Sequence, residues 1–251
     1  MARAAPYIAP LSLIFLGGSI VMLFFIILSG VSNTTPLNQT YFLRADTSGI
    51  DGARSVTQWA YFYVCEPGNV GCSGARPAPA LGWAWDSRAS GVPDALMGSY
   101  GSHTTSEFYY YMWRFGWVLY LIALIFTVCA FFTGFVACCG RLGSAIAALA
   151  SAGALFFLTI AVSLMTAVFV KMRNVFISDG HSASLGKYAF GFSWGAWAAL
   201  FIATVLYCIG TRGSKDHVSS GSSGRRWGRK RSVRSHRSYD MGSRRVKDDY
   251  A

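Results

Sequence analysis

The residues that could support chemistry are few in this sequence of 251 residues, which contains 6 cysteines and 4 histidines. No histidine has a neighbouring cysteine or histidine at the spacing of a zinc site, and the four are His103, His181, His217 and His236. The sequence also has no glycine-rich phosphate loop, nucleophile elbow or metalloprotease motif. These patterns predict a protein that is not an enzyme and that needs no metal or other cofactor.

Two of the cysteines flank a short turn sequence and could form a disulfide. Cys65 is followed by Glu66-Pro67-Gly68-Asn69, residues typical of turns, and Cys72 comes shortly after. An oxidising compartment favours a bond over two free thiols. We predict that Cys65 and Cys72 form a disulfide closing a small hairpin, because no other cysteine is expected outside the cell.

Four further residues are candidates for covalent modification. Cys138 and Cys139 end an apolar segment on the predicted cytoplasmic side, where palmitoylation and simple packing of a small apolar residue are equally good interpretations. Asn33 and Asn38 each begin an N-glycosylation sequon. Such tripeptides are common by chance, so these residues are candidate glycosylation sites only.

Four long apolar segments must position these residues. Hydrophobic residues make up 53% of the chain and charged residues only 13%, whereas an ordinary soluble domain has about 25% charged residues. Each segment is long enough to cross about 30 Å of hydrocarbon, where only a helix or a closed barrel satisfies the backbone. We therefore predict an all-α membrane protein, a four-helix transmembrane bundle with spans at 11–29, 116–138, 145–170 and 188–210.

The first span has an alternative interpretation as a cleaved signal peptide. Arg3 supplies a positive flank, and Gly30 and Ser32 are small residues at a suitable place for cleavage. The apolar run is close to 20 residues, whereas a signal peptide core has about 7–15. The length favours a retained span.

The distribution of basic residues predicts the orientation of the chain. Residues 212–251 hold 12 Lys/Arg against 4 Asp/Glu, a net charge of +8. This tail (211–251), the turn at 139–144 and the N-terminus (1–10) should therefore be cytoplasmic, with the loops 30–115 and 171–187 outside. Lys171 and Arg173 are exceptions, because they are basic residues on the outer side.

The first outer loop contains a strand-like stretch. Residues 56–65 are aromatic and β-branched, a composition typical of strands. We predict that Trp59 packs against a small sheet on the outer face, next to the disulfide.

The tail should be disordered, because it has many charges and few apolar residues. In a soluble protein its basic cluster would indicate nucleic-acid binding. Attached to a membrane, it more simply predicts binding to anionic lipid of the inner leaflet. The residues expected to bind lipid are Arg225, Arg226, Arg229, Lys230 and Arg231.

The four-span layout, the long first loop and Trp59 followed by the Cys65…Cys72 pair resemble the claudin-like tetraspan group. Within it, the fungal Sur-seven/PalI family is the most similar. Residues 176–186, continuing to Trp194, resemble the second outer loop of that family. The Gly-Leu-Trp of true claudins is replaced here by Tyr61-Phe62-Tyr63, which favours the fungal family.

The resemblance implies a multi-pass plasma-membrane protein of static, eisosome-associated cortical domains, linked to cell-wall integrity, endocytosis and lipid organisation. The partners it implies are membrane lipids and other cortical proteins, with a homo-oligomer also allowed. One alternative is a PalI-like subunit of ambient-pH signalling, but the tail is shorter than in that branch. A channel or transporter is a weaker alternative, because no Asp or Glu lies within the predicted spans.

Overall fold

A computed structural model describes the backbone of residues 5–137 and 141–219, and the side chains of residues 10–135 and 143–210. The chain forms two units, Met1–Ser214 and Lys215–Ala251. Cys138, Cys139 and the lipid-binding cluster of the tail lie outside the described residues. The tail residues concerned are Arg225, Arg226, Arg229, Lys230 and Arg231.

Four long helices form the bundle, as the sequence predicts. They are α1 (Ala5–Ile27), α2 (Glu107–Ala137), α3 (Arg141–Ser178) and α4 (Lys187–Ser219). Each contains an apolar stretch long enough to cross a membrane. Two short three-ten helices, Leu37–Gln39 and Leu81–Ala84, and a helical turn at Tyr100–His103 lie in the connection between α1 and α2.

The helices extend beyond the predicted spans. Helix α2 already begins at Glu107, inside the predicted loop 30–115, and α3 ends only at Ser178, inside the predicted loop 171–187. Helix α4 continues to Ser219, so the prediction of disorder was wrong for residues 211–219. Hydropathy indicates only the part of a helix that lies in hydrocarbon. The helices continue beyond that part because adding residues to an existing helix costs far less free energy than starting a new one.

A four-stranded antiparallel sheet lies at one end of the bundle. Its strands are β1 (Leu43–Asp46), β2 (Val56–Trp59), β3 (Val64–Cys65) and β4 (Ala183–Leu185), in the order β3-β2-β1-β4. Strand β4 comes from the connection between α3 and α4, so both long connections meet at the same end. We call this end the loop side, and we call the sheet, with the segments 28–106 and 179–186 that connect the helices there, the loop-side domain.

Small and polar residues hold the helices together. Ala147, Ala154 and Ala161 are fully buried on α3, which lets neighbouring helices approach closely. The Ser19 hydroxyl donates to the Ala196 carbonyl (2.9 Å), joining α1 to α4. Because lipid is as apolar as leucine, such packing and hydrogen bonds stabilise the bundle in place of a hydrophobic driving force.

Candidate functional site

The strand-like stretch 56–65 forms a β-hairpin instead of one continuous strand. Strand β2 ends at Trp59, and the Ala60 N–H donates to the Tyr63 carbonyl (2.9 Å) across the turn before β3 begins. Tyr61 and Phe62 therefore occupy the tip of the hairpin. Aromatic residues are typical of strands, so composition by itself did not indicate this turn.

Trp59 lies at the centre of the loop-side core, in agreement with the prediction. Its side chain has 0% exposure, and its indole N–H donates to the Leu81 carbonyl (3.0 Å). The ring centroids of Trp85 and Phe176 lie 6.4 and 6.0 Å away. Because Phe176 belongs to α3, Trp59 joins the sheet, the long loop and the bundle in one core.

Tyr61 connects the hairpin tip to α2, a role that the sequence did not indicate. Its hydroxyl donates to the Trp117 carbonyl (2.5 Å), the Trp117 indole donates back to the Tyr61 carbonyl (3.1 Å), and the two rings stack at 5.2 Å. The Tyr61 N–H also donates to the Ser29 hydroxyl (3.0 Å), just beyond α1. Burial, with a smaller effect of Tyr120, raises the pKa of Tyr61 well above its usual value.

The predicted disulfide between Cys65 and Cys72 is present, with an S–S distance of 1.97 Å. A β-bridge between Glu66 and Val70 closes the turn inside it. Arg54 lies beside this turn, where its guanidinium donates to the Gly71 carbonyl (2.6 Å). The disulfide therefore stabilises a compact turn, called below the disulfide turn (65–72), that also contacts the chain before β2.

Asn69 fastens the disulfide turn to the chain that follows α1. Its amide nitrogen donates to the carbonyls of Ser32 and Leu37 (both 2.9 Å), and its amide oxygen accepts from the Gln58 side chain (2.8 Å). Gln58 in turn accepts from the Arg44 guanidinium (3.0 Å). The backbone of Asn69 has a φ of 61°, a left-handed conformation that asparagine tolerates well. The sequence indicated Asn69 only as part of a turn.

The connection between α3 and α4 joins the sheet through main-chain hydrogen bonds. The Asp46 N–H donates to the Ser182 carbonyl (2.8 Å), and Leu43 of β1 pairs with Leu185 of β4. The Ser48 N–H and hydroxyl both donate to the Asp46 carboxylate (3.0 and 2.7 Å), which holds the pKa of that carboxyl below its usual value. The two connections thus form one sheet.

The two sequons have different surroundings. Asn33 is exposed, whereas Asn38 is half-buried in a three-ten helix. Thr40 of the second sequon is buried, and its hydroxyl donates to the Pro36 carbonyl (2.9 Å). Asn33 is therefore the more accessible candidate, and glycosylation at either residue stays a prediction.

The contacts within the loop-side domain stabilise its structure and do not form a metal site in the described part of the chain. Within residues 5–137 and 141–219, no three His, Cys, Asp or Glu side chains stand together as metal ligands. Several of the domain's buried polar side chains instead bond to one another, as Gln58 and Asn69 do. Such satisfied networks stabilise a single arrangement of the chain.

Comparison with known proteins agrees with this architecture. The model of the SUR7/PalI family matches residues 8–206, which include the sheet and most of each of the four apolar helices. The chain belongs to the SUR7/PalI family. The resemblance seen in the sequence is thereby confirmed, and the chain is a membrane protein of this family. Residues 207–251 lie outside the match.

Curated relatives are similar over most of the chain. Protein SUR7 of Candida albicans is 33% identical over 211 residues, covering 83% of this chain and 76% of that protein. The SUR7 family protein FMP45 of Saccharomyces cerevisiae is 33% identical, covering 76% of this chain and 65% of that protein. The uncharacterized plasma membrane protein YNL194C of the same yeast is 30% identical, covering 79% and 66%. The match therefore spans about two thirds of these two yeast relatives.

Proposed function

We propose that this protein is a non-enzymatic, four-span plasma-membrane protein that organises a fungal cortical membrane domain of the eisosome type. In this proposal the loop-side domain is extracellular and both termini are cytoplasmic. The observation that carries it is the family match over residues 8–206. Individual relatives support it, because their names place them in the SUR7 family or in the plasma membrane. Roles in cell-wall integrity, endocytosis and lipid organisation would follow from that location.

The architecture supports an organising role over transport. The spans at 11–29, 116–138, 145–170 and 188–210 contain no Asp or Glu, whereas ion and proton pathways usually place ionisable groups there. The loop-side domain is bonded to the bundle through Tyr61 and Trp117. A domain held in this way presents a constant surface to neighbouring molecules, which suits a scaffold.

Contacts at the cytoplasmic face are the second part of the proposal. The tail at 212–251 carries a net charge of +8, and each Lys or Arg near an anionic leaflet contributes about 1 kcal/mol. Anionic lipid would hold the tail at the membrane, and other cortical proteins or further copies of this chain would be its neighbours. The same basic charge supports a cytoplasmic position for the tail.

Live imaging of the full chain with a fluorescent tag, expressed in a fungal cell, tests the proposal. We expect stable cortical patches that recover slowly after photobleaching, because an organiser stays within its domain. A diffuse plasma-membrane signal or an endomembrane signal would contradict it. Patches that assemble or disperse when only the external pH is changed would support the PalI-like signalling alternative instead.

A further inference from the structure

The contacts between the loop-side domain and the bundle locate the edge of the hydrocarbon layer. The apolar stretch of α1, Pro10–Ile27, has 18 residues, or about 27 Å of helix, close to the hydrocarbon thickness of about 30 Å. The loop-side edge therefore lies near the end of α1. Tyr61 bonds both to Ser29 and to Trp117, so Trp117 of α2 lies at the same level.

Helix α2 carries exposed aromatic residues beyond this edge. Phe108, Tyr111 and Phe115, called here the aromatic stripe, are 40%, 43% and 60% exposed. Their spacing places them on one face of the helix. Phe115 lies about 3 Å beyond Trp117 along the axis and Tyr111 about 9 Å. The headgroup layer is about 5–7 Å thick, so the stripe starts within it and extends past its top.

Two cations flank the aromatic stripe. The Arg114 guanidinium lies over the Tyr110 ring (4.1 Å), and the Lys171 ammonium lies over the ring of Phe108, a member of the stripe (4.3 Å). Neither belongs to an ion pair in the described part of the chain. Arg114 Nε is also buried without a hydrogen-bond partner there. Both cations therefore lack the anion that such groups normally meet.

We propose that the aromatic stripe, Arg114 and Lys171 form a binding site for an anionic phospholipid of the loop-side leaflet. Arg114 lies about 5 Å beyond the hydrocarbon edge, the depth of lipid phosphates. Its guanidinium matches the geometry of a phosphate, and Lys171, which lies over Phe108 further out, adds a second positive charge. Phe115 would contact the lipid headgroup at this depth, and Tyr111 and Phe108 would line the site further out. The site explains why a basic residue such as Lys171 stands on the side where the charge pattern expects few.

This site is separate from the proposed cortical role. It depends only on insertion in a bilayer, so it holds for either orientation and does not involve the tail. A protein partner is disfavoured because Phe115 and Arg114 lie at the level of lipid headgroups.

Site-specific photocrosslinking of the full chain in proteoliposomes tests the site. The bilayer would contain equal amounts of phosphatidylglycerol and phosphatidylcholine, and p-benzoylphenylalanine would replace Phe115 or, as the control, Ile125. Ile125 lies on the same helix and is 61% exposed, but it is well inside the hydrocarbon. Mass spectrometry would count the two lipid adducts. We expect the anionic-to-neutral ratio at Phe115 to exceed that at Ile125 about fivefold, the factor for one cation near an anionic surface.

Charge-removing substitutions distinguish lipid binding at this site from a general electrostatic attraction between anionic lipid and the protein. Arg114→Gln together with Lys171→Gln should reduce the ratio at Phe115 to the value at Ile125. Lys187→Gln, which removes an exposed cation at the start of α4, should leave it unchanged. Equal ratios at Phe115 and Ile125 would overturn the proposal, as would an equal effect of Lys187→Gln or crosslinks from Phe115 mainly to protein.

Discussion

Replacing Asn69 should release the disulfide turn from the rest of the loop-side domain. Asn69→Gly removes the three side-chain hydrogen bonds to Ser32, Leu37 and Gln58, but glycine accepts the φ of 61° without strain. Asn69→Ala removes the same bonds and adds the cost of a left-handed conformation. The pair of variants therefore separates the hydrogen bonds from the backbone effect.

The expected magnitude follows from the number of bonds. A hydrogen bond contributes about 1 kcal/mol net, so Asn69→Gly should destabilise the closed turn by about 3 kcal/mol. The left-handed backbone should cost alanine about 1 kcal/mol more. Since 1.4 kcal/mol is a factor of ten, the open form of the turn should become about 100-fold more populated in Asn69→Gly.

The rate of reduction of the Cys65–Cys72 bond measures this opening. Cys65 is fully buried and Cys72 is half-buried, so opening of the turn should expose the disulfide further to a reductant. The purified protein would be treated with dithiothreitol, alkylated at intervals and mapped by mass spectrometry. We expect reduction up to about 100-fold faster in Asn69→Gly than in the unmodified protein, and faster again in Asn69→Ala.

An exposed substitution at the same turn provides the control. Val70→Thr changes a side chain that is 56% exposed and should leave the rate nearly unchanged. Reduction of Asn69→Gly at the original rate would show that the hydrogen bonds do not keep the turn closed. Equal rates for the glycine and alanine variants would refute the argument from backbone conformation.

Three further predictions concern the core, the hairpin tip and the tail. Trp59→Ala should lower the free energy of unfolding by about 3–5 kcal/mol. As a control, Trp194→Ala, which changes an exposed tryptophan, should lower it by less than about 1 kcal/mol. Denaturant unfolding of the two variants measures both values. Tyr61→Phe should cost about 1 kcal/mol at neutral pH through the lost bond to Trp117. Burial raises the folded-state pKa of Tyr61, so the free energy of unfolding should decline as the pH rises above the usual tyrosine pKa of about 10. The decline should be smaller in Tyr61→Phe. Unfolding curves recorded across alkaline pH measure both effects. A tail peptide should bind anionic vesicles in a salt-sensitive way and lose most of that binding on serine substitution of Arg225, Arg226, Arg229, Lys230 and Arg231, as measured by co-sedimentation.

The sequence by itself determined the membrane architecture. An uninterrupted run such as 145–170 has no stable alternative to a helix in hydrocarbon, so composition was sufficient to predict it. The pairing of Cys65 with Cys72 could be predicted equally well, because the predicted topology left these two cysteines alone on the side expected to be oxidising. Both inferences depend on local composition and on which side of the membrane a segment lies.

Tertiary structure decided the form of the loop-side domain. Residues 56–65 have the composition of a strand, yet they turn at Tyr61 because its ring and hydroxyl meet Trp117, 56 residues away. Strand β4 forms because β1 offers it an open edge. The position of Asn69 between two distant carbonyls could not be seen from its turn sequence. These features depend on contacts between segments far apart in the chain, and local residue preferences carry no information about which distant partner is present.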